Sequence, residues 1–189
     1  MVEKGVVHAR FQILHLKQME YLLAAKMRCK KLYIGISHPD IVNFASTSNL
    51  DVHGITKRDN PMTYIERFHM LQAALVEFKI KKEQYEIVPF PISKPDLLSQ
   101  YAPPDGVYYM SLMTEWDEAR LRTLDNLGLK TQVIWDRNER QMGLTSSDIK
   151  LMIAEDNDKW QMAVPKSVKD FVKKNGIDKR IKDYHIRFQ

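Results

Sequence analysis

The sequence predicts an α/β fold: a Rossmann-like, open and doubly wound sheet of five mostly parallel strands with helices on both faces. Short apolar runs rich in β-branched and aromatic residues alternate with longer amphipathic stretches along the chain. The apolar runs are nearly continuous, which is typical of parallel strands that are covered on both faces. The 189 residues suit one well-buried core, so we expect a single domain over 1–189.

Five apolar runs are the predicted strands, and they cover residues 5–7, 32–37, 85–90, 106–111 and 131–135. Amphipathic stretches predict helices over 16–28, 60–78 and 115–127. In the second of these helices, Pro61 would occupy the first turn and Asn60 would be the N-cap.

Two segments fall outside this alternation. Residues 38–60 are polar and have no period, and a loop of that length in a compact domain is usually functional or disordered. We predict a lid over 38–60, with a mobile surface insertion as the alternative. Residues 145–189 are the predicted C-terminal helical part, in which Thr145 or Ser146 caps the first helix.

Composition narrows the class of protein. The single cysteine, Cys29, excludes an internal disulfide, and no apolar run reaches the length of a membrane span. The start of the chain lacks the apolar segment of a signal peptide, so we expect a cytoplasmic protein that does not bind membranes. The net charge of +5 suits a phosphate-bearing ligand, and the lack of basic–aromatic interleaving argues against nucleic acid as a partner. A homo-oligomer is left open.

The stretch 5–18 carries the strongest functional signal. A short predicted strand is followed by a polar turn with Arg10, Gln12 and His15, and an amphipathic helix begins after the turn. A helix N-terminus offers free backbone N–H groups and the positive end of the helix dipole, so this arrangement suits an anion such as phosphate. On this reasoning alone, Lys17 is either a solvated helix residue or a phosphate ligand.

The turn also resembles a known signature. It reads Ala9-Arg10-Phe11-Gln12-Ile13-Leu14-His15-Leu16-Lys17-Gln18. This resembles Gly-Arg-Phe-Gln-Pro-x-His-x-Gly-His, the first motif of the archaeal-type nicotinamide mononucleotide (NMN) adenylyltransferases in the nucleotidylyltransferase superfamily. The matching positions are Arg10, Phe11, Gln12 and His15. The departures are Ile13 for Pro, Lys17 for Gly and Gln18 for the second His.

Two further motifs follow in the order of the same family. Residues 60–67 read Asn-Pro-Met-Thr-Tyr-Ile-Glu-Arg, which is similar to the family's Asn-Pro-[Phe/Leu]-Thr-x-x-Glu-Arg. Residues 143–150 read Gly-Leu-Thr-Ser-Ser-Asp-Ile-Lys, which resembles Ile-Ser-x-Thr-x-Ile-Arg at a second helix N-terminus. There Thr145 stands for Ser, Ser147 for Thr and Lys150 for Arg. The resemblance runs from about residue 5 to about residue 176.

The resemblance implies a nucleotidyltransferase that transfers AMP from ATP to nicotinamide or nicotinate mononucleotide, forms NAD and releases pyrophosphate. The acceptor phosphate would attack the α-phosphorus in line, and Mg²⁺ would bridge the ATP phosphates. The altered first motif keeps two alternatives open. One is a transferase with another acceptor or with CTP, and the other is a nucleotide-binding sensor or pseudoenzyme without turnover.

Residue roles follow from the same resemblance. The implied catalytic residues are His15, Lys17, Gln18 and Lys150. The implied nucleotide- and phosphate-binding residues are Arg10, Phe11, Gln12, Thr145, Ser146 and Ser147. The implied acceptor-binding residues are Arg67 and Trp116, with packing on the sheet as the alternative for Trp116. No residue is expected to hold a metal, because His38, His53 and His69 lack ligand spacing.

Overall fold

The computed structural model describes residues 1–39, 57–136 and 143–187, and it confirms the predicted fold class. The strands are β1 (Val2–Ala9), β2 (Cys29–Ser37), β3 (Tyr85–Phe90), β4 (Val107–Leu112) and β5 (Lys130–Asp136). They form one parallel sheet in the order β3-β2-β1-β4-β5. The first part of the predicted lid reaches residue 39, while residues 40–56 of it lie outside the described residues.

Helices cover both faces of this sheet. They are α1 (Leu16–Lys26), α2 (Tyr64–Glu77), α3 (Glu115–Asn126), α4 (Ser146–Ala154), α5 (Lys166–Lys174) and α6 (Ile177–Arg187). Short 3₁₀ helices cover Lys82–Gln84, Pro95–Gln100 and Asp158–Met162. Val7 packs in one core with α1 and α2, whereas its neighbour Val6 packs in a second core with Leu124 of α3. Side chains alternate across a strand, so β1 contributes to both cores.

β1 and β2 each begin three residues earlier than predicted, at Val2 and Cys29. The charged pairs Glu3-Lys4 and Lys30-Lys31 follow the first residue of each strand, so a search for apolar runs starts both strands too late. The exposed pair Lys30–Glu3 joins the two strand starts over 2.6 Å. α1 also ends at Lys26 rather than at residue 28.

The predicted start of α2 is wrong. Thr63, not Asn60, is the N-cap, and the helix begins at Tyr64. Thr63 and Glu66 form a reciprocal capping box, in which the Thr63 backbone N–H donates to the Glu66 carboxylate over 2.8 Å. This box satisfies two helix-end donors at once, which a cap at Asn60 would not do.

The C-terminal residues pack against the sheet's helices. Thr145 is the N-cap of α4, and α5 and α6 pack on α2 and α4. Arg180 of α6 forms an ion pair with Glu66 over 2.7 Å and donates to the carbonyl of Pro61 over 2.9 Å. None of the helices in the three described ranges combines the length and the apolar character that crossing a membrane requires.

Candidate active site

A cleft of about 570 Å³ opens at the carboxyl edge of the sheet. The strand order reverses there, because β2 lies on one side of β1 and β4 on the other. Open α/β sheets bind ligands at such a point. The cleft is lined by residues at or after the ends of β1, β2 and β4 and by residues of α1, α3 and α4. Eleven of the twelve residues predicted for the site line it, and Arg67 is the exception.

His15 forms the corner where the first turn meets α1. It is the N-cap of the helix, and its Nδ1 accepts from the backbone N–H of Gln18 over 3.4 Å. Burial lowers the pKa of His15 to about 4, with the Asp148 carboxylate opposing part of that shift. The imidazole is therefore neutral at pH 7. With Nδ1 accepting, the ring proton lies on Nε2, which can donate to a ligand.

The start of α4 meets the start of α1 across the cleft. Thr145 is engaged in a capping box, with its hydroxyl donating to the Asp148 carboxylate over 2.6 Å. Ser146 donates to the carbonyl of Ile13 over 3.0 Å, which joins the two helix starts. Ser147 is exposed, and its hydroxyl has no hydrogen-bond partner among the described residues. Of the three predicted hydroxyls, Ser147 is thus the one available to a ligand.

Lys150 lies one turn into α4 and is buried beside the cleft. Its Nζ donates to the backbone carbonyl of Asp59 over 2.6 Å. Burial, together with the positive charge of Arg10, lowers the pKa of Lys150 to about 8. The proximity of Arg10 and Lys150 concentrates positive charge on one side of the cleft, where an anionic ligand would relieve their repulsion.

Arg67 does not contact the cleft, so the predicted acceptor-binding role is wrong. Its side chain is completely buried, and Nη1 donates to the carbonyls of Arg10 over 2.9 Å and Ser37 over 2.7 Å. Nη2 donates to the carbonyl of His38 over 2.7 Å. Burial lowers the pKa of Arg67 to about 10, which still leaves it charged at pH 7. The guanidinium joins the ends of β1 and β2 instead of binding a substrate.

Gln12 and Phe11 also help to fix the backbone of the turn. The Gln12 side-chain amide makes two bonds of 2.9 Å with the backbone of Met62, one to its carbonyl and one from its N–H. Phe11 is buried in the core and has a φ of +52°, an uncommon conformation for a residue with a side chain. Phe11 therefore faces the cleft through its backbone turn, while Gln12 holds that turn against the segment before α2.

Lys17 and Gln18, the two departures in the helix start, both line the cleft. Lys17 is half exposed and pairs with Glu20 over 3.3 Å. A Cβ atom at Gly143 would lie 3.6 Å from Lys17 Cε, so Lys17 lies beside the turn that leads into α4. The Gln18 Oε1 is buried without a hydrogen-bond partner in the described part of the chain. A rotated amide would present its nitrogen at the same place as a donor.

The wall at β4 and β5 is aromatic. Trp116 of α3, Trp135 of β5 and Tyr21 of α1 line it, and the rings of Tyr21 and Trp135 are 5.8 Å apart. The Tyr21 hydroxyl donates to the carbonyl of Tyr109 over 2.5 Å, and burial raises the pKa of Tyr21 well above its ordinary range. The Tyr21 ring is therefore held in place, and the aromatic wall suits a flat ligand group.

Sequence reasoning missed several residues of the cleft, among them His8, Tyr21, Ser37 and Arg120. His8 and Ser37 are the last polar residues of two strands whose second halves are otherwise mainly apolar, and that position was a readable signal. Tyr21 and Arg120 lie inside amphipathic helices, where nothing in the spacing separates a cleft residue from a core or surface residue.

The chain resembles proteins of known activity. No family model matches it. It is 39% identical over 178 residues to phosphonoformate cytidylyltransferase from Streptomyces viridochromogenes, and the alignment covers 94% of this chain and 95% of that protein. The chain belongs to the family of that cytidylyltransferase. It is therefore an enzyme of the nucleotidyltransferase class.

Solved structures show the same fold at low identity. A bifunctional NMN adenylyltransferase/ADP ribose pyrophosphatase from Francisella tularensis superposes with a TM-score of 0.58 and 14% identity. The same protein in complex with AMP and a manganese ion gives a TM-score of 0.56 and 14% identity. Both alignments cover 93% of this chain and about half of the neighbour, 54% and 53%. The expected likeness to NMN adenylyltransferases is thus shown for the fold.

Proposed function

We propose that this enzyme is a cytidylyltransferase that transfers CMP from CTP to a small phosphonate of the phosphonoformate class and releases pyrophosphate. The observation that carries the proposal is the 39% identity to phosphonoformate cytidylyltransferase over nearly the whole of both chains. The site supports it, because the N-termini of α1 and α4 and cationic side chains that include Arg10 and Lys150 surround one cleft at the switch point of the sheet. CTP was an alternative in the sequence prediction, and ATP with NMN is now the competing pair.

The reaction needs positioning and charge stabilisation more than covalent catalysis. A phosphonate oxygen attacks the α-phosphorus of CTP in line, the new P–O bond forms, and the bond to the β-phosphate oxygen breaks. Both electrons of that bond leave with pyrophosphate. His15 donates from Nε2 to an oxygen of the reacting phosphate, and Arg10 and Lys150 neutralise the charge that grows on the leaving group.

The remaining predicted site residues surround the phosphates and the nucleoside of CTP. The Ser147 hydroxyl and the first N–H groups of α4 bind the β- and γ-phosphates. Lys17 and the Gln18 amide flank the α-phosphate from the start of α1. Trp116 lies beside the nucleoside on the aromatic wall, which moves it from the acceptor role of the sequence prediction to a nucleotide role.

A divalent cation, Mg²⁺ in the cell, fits this site as a partner of the triphosphate. Among the described residues there is no group of three or more His, Cys, Asp or Glu side chains that would hold a metal by itself. Mg²⁺ keeps several waters and takes phosphate oxygens readily, so the triphosphate would supply most of its ligands. The cation would neutralise the charge on the phosphates. The manganese ion in the AMP complex of a neighbour with the same fold supports this inference.

The test combines each nucleoside triphosphate with each candidate acceptor of the nucleotidyl group. The purified protein is incubated with Mg²⁺, one of the four nucleoside triphosphates, and either phosphonoformate or NMN, and pyrophosphate release is measured. We expect release with CTP and phosphonoformate, and a mixed phosphonate–phosphate anhydride product by phosphorus NMR. Release with ATP and NMN alone would show NMN adenylyl transfer instead, and no release with any pair would favour the sensor alternative. The His15→Ala variant is the control for contaminating activity.

A further inference from the structure

The two halves of the cleft differ in chemistry. Beyond β4 and β5 the wall carries the rings of Tyr21, Trp116 and Trp135, and a cation on that side, Arg120, pairs with Asp117 over 3.4 Å. Beyond β1 and β2 it carries His8 and Ser37, close to Arg10. Ring faces suit a nucleoside, whereas hydrogen-bonding and cationic groups suit a compact anion. The small acceptor therefore belongs on the side of β1 and β2.

His8 is held on this side by an arrangement that spans three strands. It is opposite Gly35 in the register of β1 and β2. A Cβ atom at Gly35 would lie 2.5 Å from the ring of Phe90, so the missing side chain makes room for that ring. The imidazole of His8 stacks on Phe90 with ring centres 4.4 Å apart and planes 7° apart. Its Nδ1 lies 3.4 Å from the Ser37 hydroxyl oxygen.

A core histidine without a function is the plain alternative for His8. The buried core residues on this face of the sheet are apolar, with Val6 two positions before His8 and Tyr108 and Met110 on β4. An apolar ring would stack on Phe90 equally well and would avoid the cost of burying a polar group. The residue is also at the carboxyl end of β1, where the cleft begins. Position and polarity together indicate that His8 serves a ligand.

We propose that His8 and Ser37 form the subsite for a second oxyanion of the acceptor, the carboxylate in acceptors of the phosphonoformate class. The phosphonate end then lies by Arg10 and the helix starts, where it attacks, and the carboxylate receives hydrogen bonds from the imidazole and the hydroxyl. The subsite selects acceptors that carry two anionic groups over those that carry one. The choice of the carboxylate rests on the proposed function, while the location of the subsite rests on the geometry.

The experiment compares two acceptors by calorimetry, without nucleotide. Phosphonoformate and methylphosphonate, which lacks the carboxylate, are titrated into the wild type, His8→Phe and Ser37→Ala. We expect the wild type to bind phosphonoformate at least about tenfold more tightly than methylphosphonate, the effect of one or two charge-assisted hydrogen bonds. The His8→Phe variant should lose most of that preference and keep its affinity for methylphosphonate. The exposed His69→Phe is the matched control and should behave as the wild type.

Each outcome bears on the proposal. An unchanged preference in His8→Phe and Ser37→Ala, or equal affinity of the wild type for the two acceptors, would overturn it. If circular dichroism shows that His8→Phe is unfolded, the preference for phosphonoformate is measured by the same calorimetry in Ser37→Ala and His8→Asn, and those two variants test the proposal. The pyrophosphate assay separates the two proposals, because CTP-dependent release with a one-anion acceptor alone would support cytidylyl transfer and reject this subsite.

Discussion

Lys150 donates from Nζ to the backbone carbonyl of Asp59 over 2.6 Å, and this bond joins α4 to the segment before α2. The same segment is held by Gln12 through the backbone of Met62 and by Arg180 through the carbonyl of Pro61. Three separate parts of the chain therefore converge on residues 59–62. Since Lys150 and Gln12 also line the cleft, the shape of the cleft depends on this segment.

Lys150 should make nucleotide binding depend on pH. Its pKa is lowered to about 8, so the ammonium is mostly charged below pH 8 and mostly neutral above it. We expect CTP affinity of the wild type to fall, by up to about tenfold, between pH 7 and pH 9 as this charge is lost. Calorimetry at the two pH values measures the change. Lys150→Gln should bind weakly at both pH values, and the surface variant Lys182→Gln should keep the wild-type dependence. A pH-dependent Lys150→Gln would assign the titration to another group.

His15 has two separable roles, as helix cap and as donor to the ligand. His15→Ala removes both, whereas His15→Asn keeps a side chain that caps helices well. We expect both variants to lose roughly a hundredfold or more in turnover, the scale for removing a preorganised donor. His15→Ala alone should also lose about 1 kcal/mol of stability in urea. Turnover retained by His15→Asn would mean that capping, and not donation, is what the enzyme needs.

The pKa of His15 gives a second prediction, on stability in acid. The ordinary pKa is 6.5 and the folded value is about 4. Between pH 6.5 and pH 4 the imidazole is protonated in the unfolded chain and neutral in the folded protein. The free energy of unfolding therefore falls as the pH falls from 6.5 to 4. The loss is up to roughly 3 kcal/mol. His15→Asn should lack this part of the acid destabilisation, measured by urea unfolding at pH 7 and pH 4.5. Parallel losses in both proteins would show that His15 is already protonated in the fold.

Arg67 should be needed for stability because it fixes the strand ends behind the cleft. Arg67→Met leaves the buried carbonyl of Ser37 and the partly buried carbonyls of Arg10 and His38 without their donor, and we expect a loss of about 3 kcal/mol or more. Arg180→Met is the matched control. Its ion pair with Glu66 is partly exposed, so the loss should be about 1 kcal/mol. Urea unfolding compares the two variants, and equal losses would contradict the role given to Arg67.

The fold was predictable because each strand can be recognised from a short run of its own sequence. The apolar runs that became β3, β4 and β5 are bounded by polar or proline-containing segments, and a parallel sheet follows from their alternation with helices. Boundaries were less certain where two local rules compete. Asn60-Pro61 and Thr63–Glu66 are both legitimate helix starts, and the reciprocal bonds of Thr63 and Glu66 favour the second.

The site was predictable only as far as the helix starts define it. His15, Ser147 and Lys150 lie at or within one turn of a helix N-terminus, so their positions follow from the chain itself. Arg67 could not be placed in this way, because packing of α2 on the strands decides whether its guanidinium meets a ligand or backbone carbonyls. The strand-end position of His8 was a readable signal, but it was passed over because a single histidine inside an apolar run is usually part of the core.

Lys17 and Gln18 replace two residues of the motif that the first turn resembles, and mutation can test whether they compensate for the loss of those residues. We propose that the pair does the work of the Gly and the second His in the NMN adenylyltransferase motif that the turn resembles. A lysine in the first turn of a helix is unfavourable towards the dipole by a few tenths of a kcal/mol or more, and a bound anion would reverse that cost. The contact of Lys17 with Glu20 offsets part of it in the free enzyme, but the pair is half exposed and contributes little. Lys17 beside Gly143 is close enough to both helix starts to reach an anion between them.

Four proteins decide the matter: the wild type, Lys17→Gly, Gln18→His and the double variant. If Lys17 compensates, Lys17→Gly should lower the rate of pyrophosphate release by about tenfold, the scale of one charge-assisted hydrogen bond. The double variant restores the Gly and the second His of the NMN adenylyltransferase motif and should recover part of the rate. The effects of the two changes on the rate should therefore be non-additive, as expected of neighbours that share one ligand. Glu20→Gln is the control, because it removes the partner of Lys17 and leaves the ammonium free for the substrate. Additive effects would place Lys17 in solvent. An inactive wild type with an active double variant would mean that the altered motif marks a protein that has lost turnover, and the proposed transferase activity would be wrong.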